Sequence, residues 1–224
     1  MKISIIIPTL NEEKYISKTI DSIKMQEMDC EIIVVDGGST DNTLRICKEK
    51  KVKIIKLKKR GIGLARNVGA KMAKGEYLVF IDADTRLKKD FWKTIKHELK
   101  ENVVGSCYFG CYDTRFKFIY KIASILMFLM NKLGFTRLTG FCLFCSKKEF
   151  LRVGGFDEKL VLREDHDLGR RLKKKGNSIR IIKKELVETS SRRGFLRMFL
   201  FYSYSELMNL FGKKVTKINY SPIR

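Results

Sequence analysis

Proline is scarce in this chain, at two residues in 224, and there are only one tryptophan and two histidines. No Pro-rich or Ser-rich linker, internal repeat or low-complexity segment is present, so nothing divides the chain into independent domains. Long hydrophobic runs are missing as well. The longest near the middle, Ile125 to Met130, falls far short of the roughly 20 residues that a membrane span needs. Met1-Lys2 leads straight into a short apolar run closed by Pro8, so no signal peptide is expected. Acids are outnumbered: Lys plus Arg is 47 and Asp plus Glu is 25, a formal charge of +22. Such a balance calls for anionic partners, namely nucleic acid, nucleotides, phospholipid headgroups or phosphorylated substrates. With 44% hydrophobic and 32% charged residues, global disorder is excluded. The six cysteines are scattered, and a chain this rich in core formers needs no disulfide staples. A reducing cytosol is the expected setting.

The first half alternates apolar runs with helical patterns. Ile3 to Ile7 and Ile32 to Val35 are β-branched runs that predict buried strands, joined by Val52 to Leu57 and Tyr77 to Ile81. Helices are expected from Asn11 to about Gln26, with Asn11 as cap, and from about Asp41. A third runs from Gly61 to Ala73, with Leu64, Val68 and Met72 on one face. This alternation means βαβ units and a mostly parallel central sheet flanked by helices, an α/β sandwich of Rossmann type. Ligands bind such sheets beyond the carboxyl ends of the strands, where Pro8-Thr9, Asp36 and Asp82-Ala83-Asp84 fall. The second half is less regular. Helices are expected at Asp90 to about Lys100, Phe116 to Leu133, Asp165 to Lys175 and about Phe195 to Phe211. Phe118, Ile122, Ile125 and Leu129 form one stripe of the second of these. Val103 to Tyr112, Thr139 to Cys145, Ile179 to Ile182 and Leu186 to Thr189 predict strands, and Gly154-Gly155-Phe156 a turn.

Asp82 and Asp84 leave the end of a hydrophobic strand, and residues i and i+2 of an extended segment point the same way. Paired hard oxygens suit Mg²⁺ or Mn²⁺, with substrate phosphates and water completing the shell. In the loop after the second strand, Gly37 and Gly38 allow close backbone approach to a ligand, and Thr40 or Asp41 can cap the next helix. No G-x-G-x-x-G fingerprint is present, so a dinucleotide site is not expected. Cys107, Cys111, Cys142 and Cys145 superficially suggest zinc. Yet Cys107 and Cys111 would lie roughly 13 Å apart in a strand, and Cys142 and Cys145 would face opposite ways. Buried thiols are the better reading.

Four segments carry a family resemblance: SIIIPTLNEEKYI, EIIVVDGGSTDNT, GIGLARNVGAKMAKGEYLVFIDADT and GFCLFCSKKEFLRVGGFDEKLVLREDHDLGRRLKKKG. Together, and in this order, they resemble the inverting family 2 glycosyltransferases of GT-A fold. The resemblance implies a nucleotide-diphosphate-sugar donor. It places Pro8, Thr9 and Glu12 against base and ribose, Asp36 on the base, and Arg66 near the nucleotide. It makes Asp82 the first acid, near ribose and metal, Asp84 the direct ligand of Mn²⁺ or Mg²⁺, and Asp165 of the Glu164-Asp165 pair the base. A base is needed because an acceptor hydroxyl is a poor nucleophile until it loses its proton. Glu164 and His166 are candidate contacts to acceptor or diphosphate, with His166 weighed against an ordinary hydrogen-bonded histidine.

The chain also departs from the family. No Gln-x-x-Arg-Trp motif follows the acidic pair, only Ser191-Arg192-Arg193, so a processive polysaccharide synthase is not expected. Arg192 and Arg193 are candidate diphosphate or acceptor-phosphate contacts, since arginine favours bidentate phosphate binding. Arg45 to Arg60 holds nine Lys or Arg against one acid, and Arg170 to Lys184 eight against none. Nucleic acid is not expected as partner, because no recognised module is present and aromatics do not interleave with the charges. The helices Phe116 to Leu133 and Phe195 to Phe211, flanked by Lys121, Lys132, Arg192, Arg193 and Arg197, suit an anionic membrane surface; burial against the sheet is the alternative for each.

One glycosyltransferase domain is therefore expected: about 1–100 for the donor, about 101–190 for the acceptor, and about 191–224 as C-terminal helix and tail. It would move one sugar, with inversion, to a hydroxyl of a lipid-linked or membrane-proximal glycan. The setting is cytoplasmic, peripheral at the inner face of the membrane. The alternatives are a polyprenyl-phosphate sugar synthase and a non-catalytic nucleotide- or nucleic-acid-binding module.

Overall fold

The β-branched runs of the first half form the middle of a sheet. In a computed structural model that describes residues 2–192, β1 (Ile3–Thr9) lies between β2 (Cys30–Asp36) and β4 (Tyr77–Phe80), with β3 (Lys53–Lys56) outside β2. All three pairings are parallel, and the register sets Thr9 beside Asp36. Helices α1 (Ile16–Lys24), α2 (Thr43–Glu49) and α3 (Ile62–Met72) make the crossovers. Ile5, Ile6, Ile7, Ile33, Val34 and Phe80 are fully buried, as strands covered on both faces require.

Beyond β4 the sheet becomes mixed. The second half contributes β5 (Thr85–Leu87), α4 (Phe91–Ile95), β6 (Val103–Cys111), α5 (Lys117–Lys132), β7 (Leu143–Ser146), α6 (Lys147–Arg152), α7 (Glu164–Lys174) and β8 (Ser178–Thr189). The strand order is β3-β2-β1-β4-β7-β6-β8-β5. β7 is antiparallel to both β4 and β6, β8 is parallel to β6, and β5 closes the edge antiparallel to β8. The fold is thus the expected α/β sandwich, parallel in its first four strands and mixed after them.

Several expected boundaries and faces move. Asn11 does not cap a helix. Its backbone is left-handed (φ 55°), its Oδ1 accepts the Thr40 N–H at 2.8 Å, and α1 starts four residues after the loop it helps to close. In α3 the expected stripe is not the buried one: Met72 is 54% exposed, while Gly63, Ala65, Gly69 and Ala70 are buried. A Cβ on Gly69 would stand 2.5 Å from Ile6 Cγ2, so small residues, not large ones, let the helix seat closely. Residues 139–142 form a loop, and the two short strands expected near the end merge into β8, whose pairing with β6 shifts register around Tyr108. Five cysteines are buried and Cys30 is half-buried; all six are free thiols. Burial pushes the thiols of Cys30 and Cys47 up to about 11, which keeps them protonated and unreactive. Arg193 and the expected helix from Phe195 lie outside the described residues.

Candidate active site

The loops after β1 and β2 are knitted into one ledge at the carboxyl end of the sheet. Gly37 donates its N–H to the Thr9 carbonyl at 2.8 Å. The Asn11 N–H donates to Ser39 Oγ at 2.8 Å, and the Glu12 N–H to Thr43 Oγ1 at 2.7 Å. Asp36 is 1% exposed, and its carboxylate accepts the N–H groups of Gly38 and Ser39, both at 3.1 Å from Oδ2. Asp36 therefore shapes the Gly-rich turn from inside, and Gly38 takes the positive φ of 93° that the turn needs. Pro8 and Thr9 end β1 at the edge of this ledge, with Thr9 Oγ1 donating to the Ile7 carbonyl at 3.2 Å.

Asp82 and Asp84 reach different partners, contrary to the expectation of an extended pair facing one way. β4 ends at Phe80 and the chain turns, with the Thr85 N–H donating to the Asp82 carbonyl at 3.1 Å. Asp82 Oδ1 accepts from Arg66 Nη2 at 2.9 Å, whereas Asp84 Oδ2 meets Arg192 Nε at 2.9 Å. Arg192 also donates through Nη2 to Glu12 Oε1 and stands 4.8 Å from the centroid of the Tyr15 ring. One guanidinium thus bridges two acids that the resemblance assigns to the donor site.

Arg66 is the centre of a second cluster. It is 1% exposed, donates to Glu164 Oε1 at 2.6 Å, to Asp82, and to the Gly140 carbonyl at 3.1 Å, and lies 5.2 Å from the Phe156 ring centroid. Burial opposes its charge, but Asp82, Glu164 and Asp165 outweigh burial and hold its pKa above the ordinary value. Its Nε is buried with no hydrogen-bond partner among the described residues. Glu164 and Asp165 open α7, where the helix dipole favours carboxylates. Burial nevertheless raises both pKa values, against the lowering pull of Arg66. Asp165 accepts the N–H of His166 at 2.7 Å and that of Gly140. The ring of His166 lies beside Asp165, at 3.8 Å, and its Nδ1 accepts from Arg163 Nε at 3.3 Å. That arrangement is of the hydrogen-bonded kind.

Three contributors were not singled out in the sequence. Gly140 supplies both a carbonyl to Arg66 and an N–H to Asp165, and a Cβ there would stand 2.5 Å from Arg66 Nη2. Asn67 reads both sides of the Phe156 backbone, accepting its N–H at 2.8 Å and donating to its carbonyl at 2.9 Å. It thereby pins the Gly154-Gly155-Phe156 turn, whose glycines have φ of 79° and 70°, against α3. Tyr15, the third, seats Arg192. Only the exclusion of larger residues at Gly140 and the polar Asn67 on a helix of small residues hint at these roles.

Asp82 and Asp84 present hard oxygens of the kind Mg²⁺ and Mn²⁺ prefer, and the charge that Arg192 now offsets on Asp84 is one a cation could offset instead. Among the described residues no three His, Cys, Asp or Glu side chains converge as a ready cage, so substrate oxygens and water would have to complete a shell. A buried acid of raised pKa, a pair of acids of the kind cations prefer and a Gly-rich ledge thus lie together at the carboxyl ends of the parallel strands.

A model of "Glycosyl transferase family 2" matches residues 4–154, and the chain belongs to that family. Poly(ribitol-phosphate) beta-N-acetylglucosaminyltransferase TarS of Staphylococcus aureus is 37% identical over 102 residues, 42% of this chain and 18% of that protein. The solved structure of S. aureus TarS 1–349 in complex with UDP-GlcNAc matches with a TM-score of 0.72 at 25% identity, over 94% of this chain and 66% of that one. Mannosyltransferase PcManGT from Pyrobaculum calidifontis, in complex with GDP-Man and Mn²⁺, matches with a TM-score of 0.76 at 20% identity, over 98% and 66%. That last likeness concerns the fold alone. The chain spans about a fifth of the length of the TarS protein it matches.

Proposed function

We propose that the chain transfers a single sugar from a nucleotide-diphosphate sugar to an acceptor hydroxyl, with inversion, using Asp165 as general base. The observation that carries this reading is the setting of Asp165: buried, raised in pKa by that burial, and oriented by the N–H groups of Gly140 and His166. A carboxylate made more basic and held in one rotamer suits proton abstraction near neutral pH. The acceptor O–H bond gives its proton to Asp165 as the acceptor oxygen attacks the anomeric carbon from the side opposite the diphosphate. The bond from that carbon to the diphosphate oxygen breaks, and the nucleoside diphosphate leaves with the electron pair.

The ledge of Pro8, Thr9, Glu12 and the Asp36 turn receives base and ribose in this reading, and Arg66 holds Asp82 and Glu164 in place. Asp84, with Asp82, would hold Mn²⁺ or Mg²⁺. A cation bound there would offset the charge that builds on the departing diphosphate. Arg192 is then released from Asp84 and can turn to a diphosphate oxygen. The chain, residues 1–224, acts as one glycosyltransferase domain, a reading supported by the single sheet that joins both halves. The donor and acceptor classes draw support from the UDP-GlcNAc complex and the poly(ribitol-phosphate) name of the relative. A polyanionic or lipid-linked glycan acceptor suits the charge of +22. The six free thiols suit a cytoplasmic setting.

The test is single-turnover transfer at saturating donor with Asp165→Asn. Donor binding should persist while transfer to a hydroxyl acceptor falls roughly 10²–10⁴-fold. A polyprenyl phosphate attacks as an anion and needs no base, so near-native transfer by Asp165→Asn to a phosphate acceptor alone would move the assignment to that class. Near-native transfer to a hydroxyl would remove Asp165 as base.

A further inference from the structure

The stripe of α5 that periodicity would place in the core points outward. Phe118, Ile122, Ile125, Leu126 and Leu129 are all 40% exposed or more, and Leu133 and Phe135 just beyond the helix are 75% and 54% exposed. The face turned to the sheet carries Tyr120, Ser124 and Met127 instead. Ser124 Oγ donates to the Phe109 carbonyl at 2.8 Å and accepts the Phe109 N–H at 3.0 Å, while Tyr120 and Met127 fill in beside it. A contiguous apolar face of this kind marks an interaction surface.

Its rim is of one charge. Residues 114–137 hold five Lys or Arg (Arg115, Lys117, Lys121, Lys132 and Arg137) and no acid. At 100° per residue, Lys121 and Lys132 lie within roughly 60° of the Phe118 direction, on one side of the stripe. Lys183 of β8 stands on the same flank, with Nζ 4.4 Å from the Phe128 ring centroid. Aliphatic lysine stems can lie along such a face and carry the ammonium to a headgroup layer.

We propose that this face docks the protein, with α5 in the plane of the interface, on an anionic phospholipid bilayer. Charge complementarity chooses the occupant. A second copy would set like-charged rims together. Residues 193–224 carry six Lys or Arg against one acid, so they too are basic. An apolar helix face with a cationic border matches the acyl–headgroup boundary of an anionic leaflet. Among the described residues no helix is long and apolar enough to cross a membrane, and α5 lying on the surface needs no such length.

The docking also orients the site. Asn131 holds the chain after α5 in a tight turn, donating to the Arg137 carbonyl at 2.7 Å and accepting its N–H at 3.0 Å. The next residue, Leu138, packs on α7, close enough that a Cβ on Gly169 would stand 2.6 Å from Leu138 Cδ1. Gly140 then reaches Arg66 and Asp165. The bilayer contact and the candidate base are thus joined by fewer than ten residues of pinned chain, which favours an acceptor carried on a lipid. This last step rests on the sugar-transfer reading; the docking itself does not.

The test is co-sedimentation of the full chain, without donor, with phosphatidylcholine vesicles that contain or lack phosphatidylglycerol. Binding should require phosphatidylglycerol and weaken with salt. Lys121→Gln and Lys132→Gln should each lower vesicle affinity about fivefold, and Leu126→Ser about tenfold. Leu126→Ser should leave the melting temperature, the solution mass and transfer to a soluble acceptor unchanged. Equal binding to both vesicles, or to neither, would overturn the proposal. So would a fall in melting temperature with Leu126→Ser, which would show the face covered by the chain itself, or a fall in mass, which would show a second copy on it. Loss of transfer by Asp165→Asn with vesicle binding intact tests the other reading separately.

Discussion

Strands β3, β2, β1 and β4 run parallel, and their loops bring Thr9, Asp36 and Asp82 to one edge by repetition of a single βαβ plan. Strands β7, β6 and β8 have mixed directions, and their side of the site comes from a loop, a helix start and a strand exit: Gly140, Glu164-Asp165 and Arg192. The first half makes a binding ledge out of backbone geometry. The second places buried charge against it. The difference teaches that the site is a joint between halves, fastened by two arginines: Arg66 from the first half and Arg192 from the second.

The sharpest way to break that joint, after Asp165→Asn at the proposed base, is Arg66→Met. It leaves the buried Glu164 and half-buried Asp82 carboxylates unpaired, which should cost about 3–5 kcal/mol in a urea melt. The deficit should depend on pH. Burial already raises the Glu164 and Asp165 pKa values above the ordinary acid range, and Arg66 lowers them. For such groups the stabilising contribution is complete below the unfolded pKa and is lost as pH rises through the folded one. Removing Arg66 lifts both folded values further, so the deficit should shrink toward acid pH and grow toward neutrality. A deficit independent of pH would mean that Arg66 matters for packing alone.

A smaller effect is expected within the first half. Asp36→Ala removes the carboxylate that holds the Gly38 and Ser39 N–H groups. Nucleotide affinity by calorimetry should fall by about 1.5–3 kcal/mol, the usual worth of hydrogen bonds to a charged group. Unchanged affinity would show that the ledge keeps its shape without Asp36.

The smallest effect separates the second arginine from the first. Arg192→Ala should tighten Mn²⁺ binding to the protein alone roughly fivefold to tenfold, about 1–1.4 kcal/mol, because the cation no longer competes with a guanidinium for Asp84. Donor affinity in the presence of Mn²⁺ should weaken in the same variant. Weaker Mn²⁺ binding without donor would show that Arg192 supports the acids instead of competing at them.

Local pattern settled a good part of this protein. Runs such as Ile3 to Ile7 and Ile32 to Val35 are long, β-branched and bounded by Pro or Gly, so their place in a buried sheet follows from composition and period alone. The acids at the strand ends, and Glu164-Asp165 at a helix start, were legible for the same reason: their positions are fixed by the boundary of an element. The faces of α3 and α5 were not. Periodicity reports that a helix has two faces, but not which one meets the sheet. Gly69 under Ile6 and Ser124 on the Phe109 backbone decided that by fit and by hydrogen bonding. Nor could spacing show that Asp82 would meet Arg66 while Asp84 met Arg192. Arg66 lies 98 residues from Glu164, and Arg192 lies 180 from Glu12. Such pairings are chosen only when chain closure brings charges into a buried space where each must find an opposite.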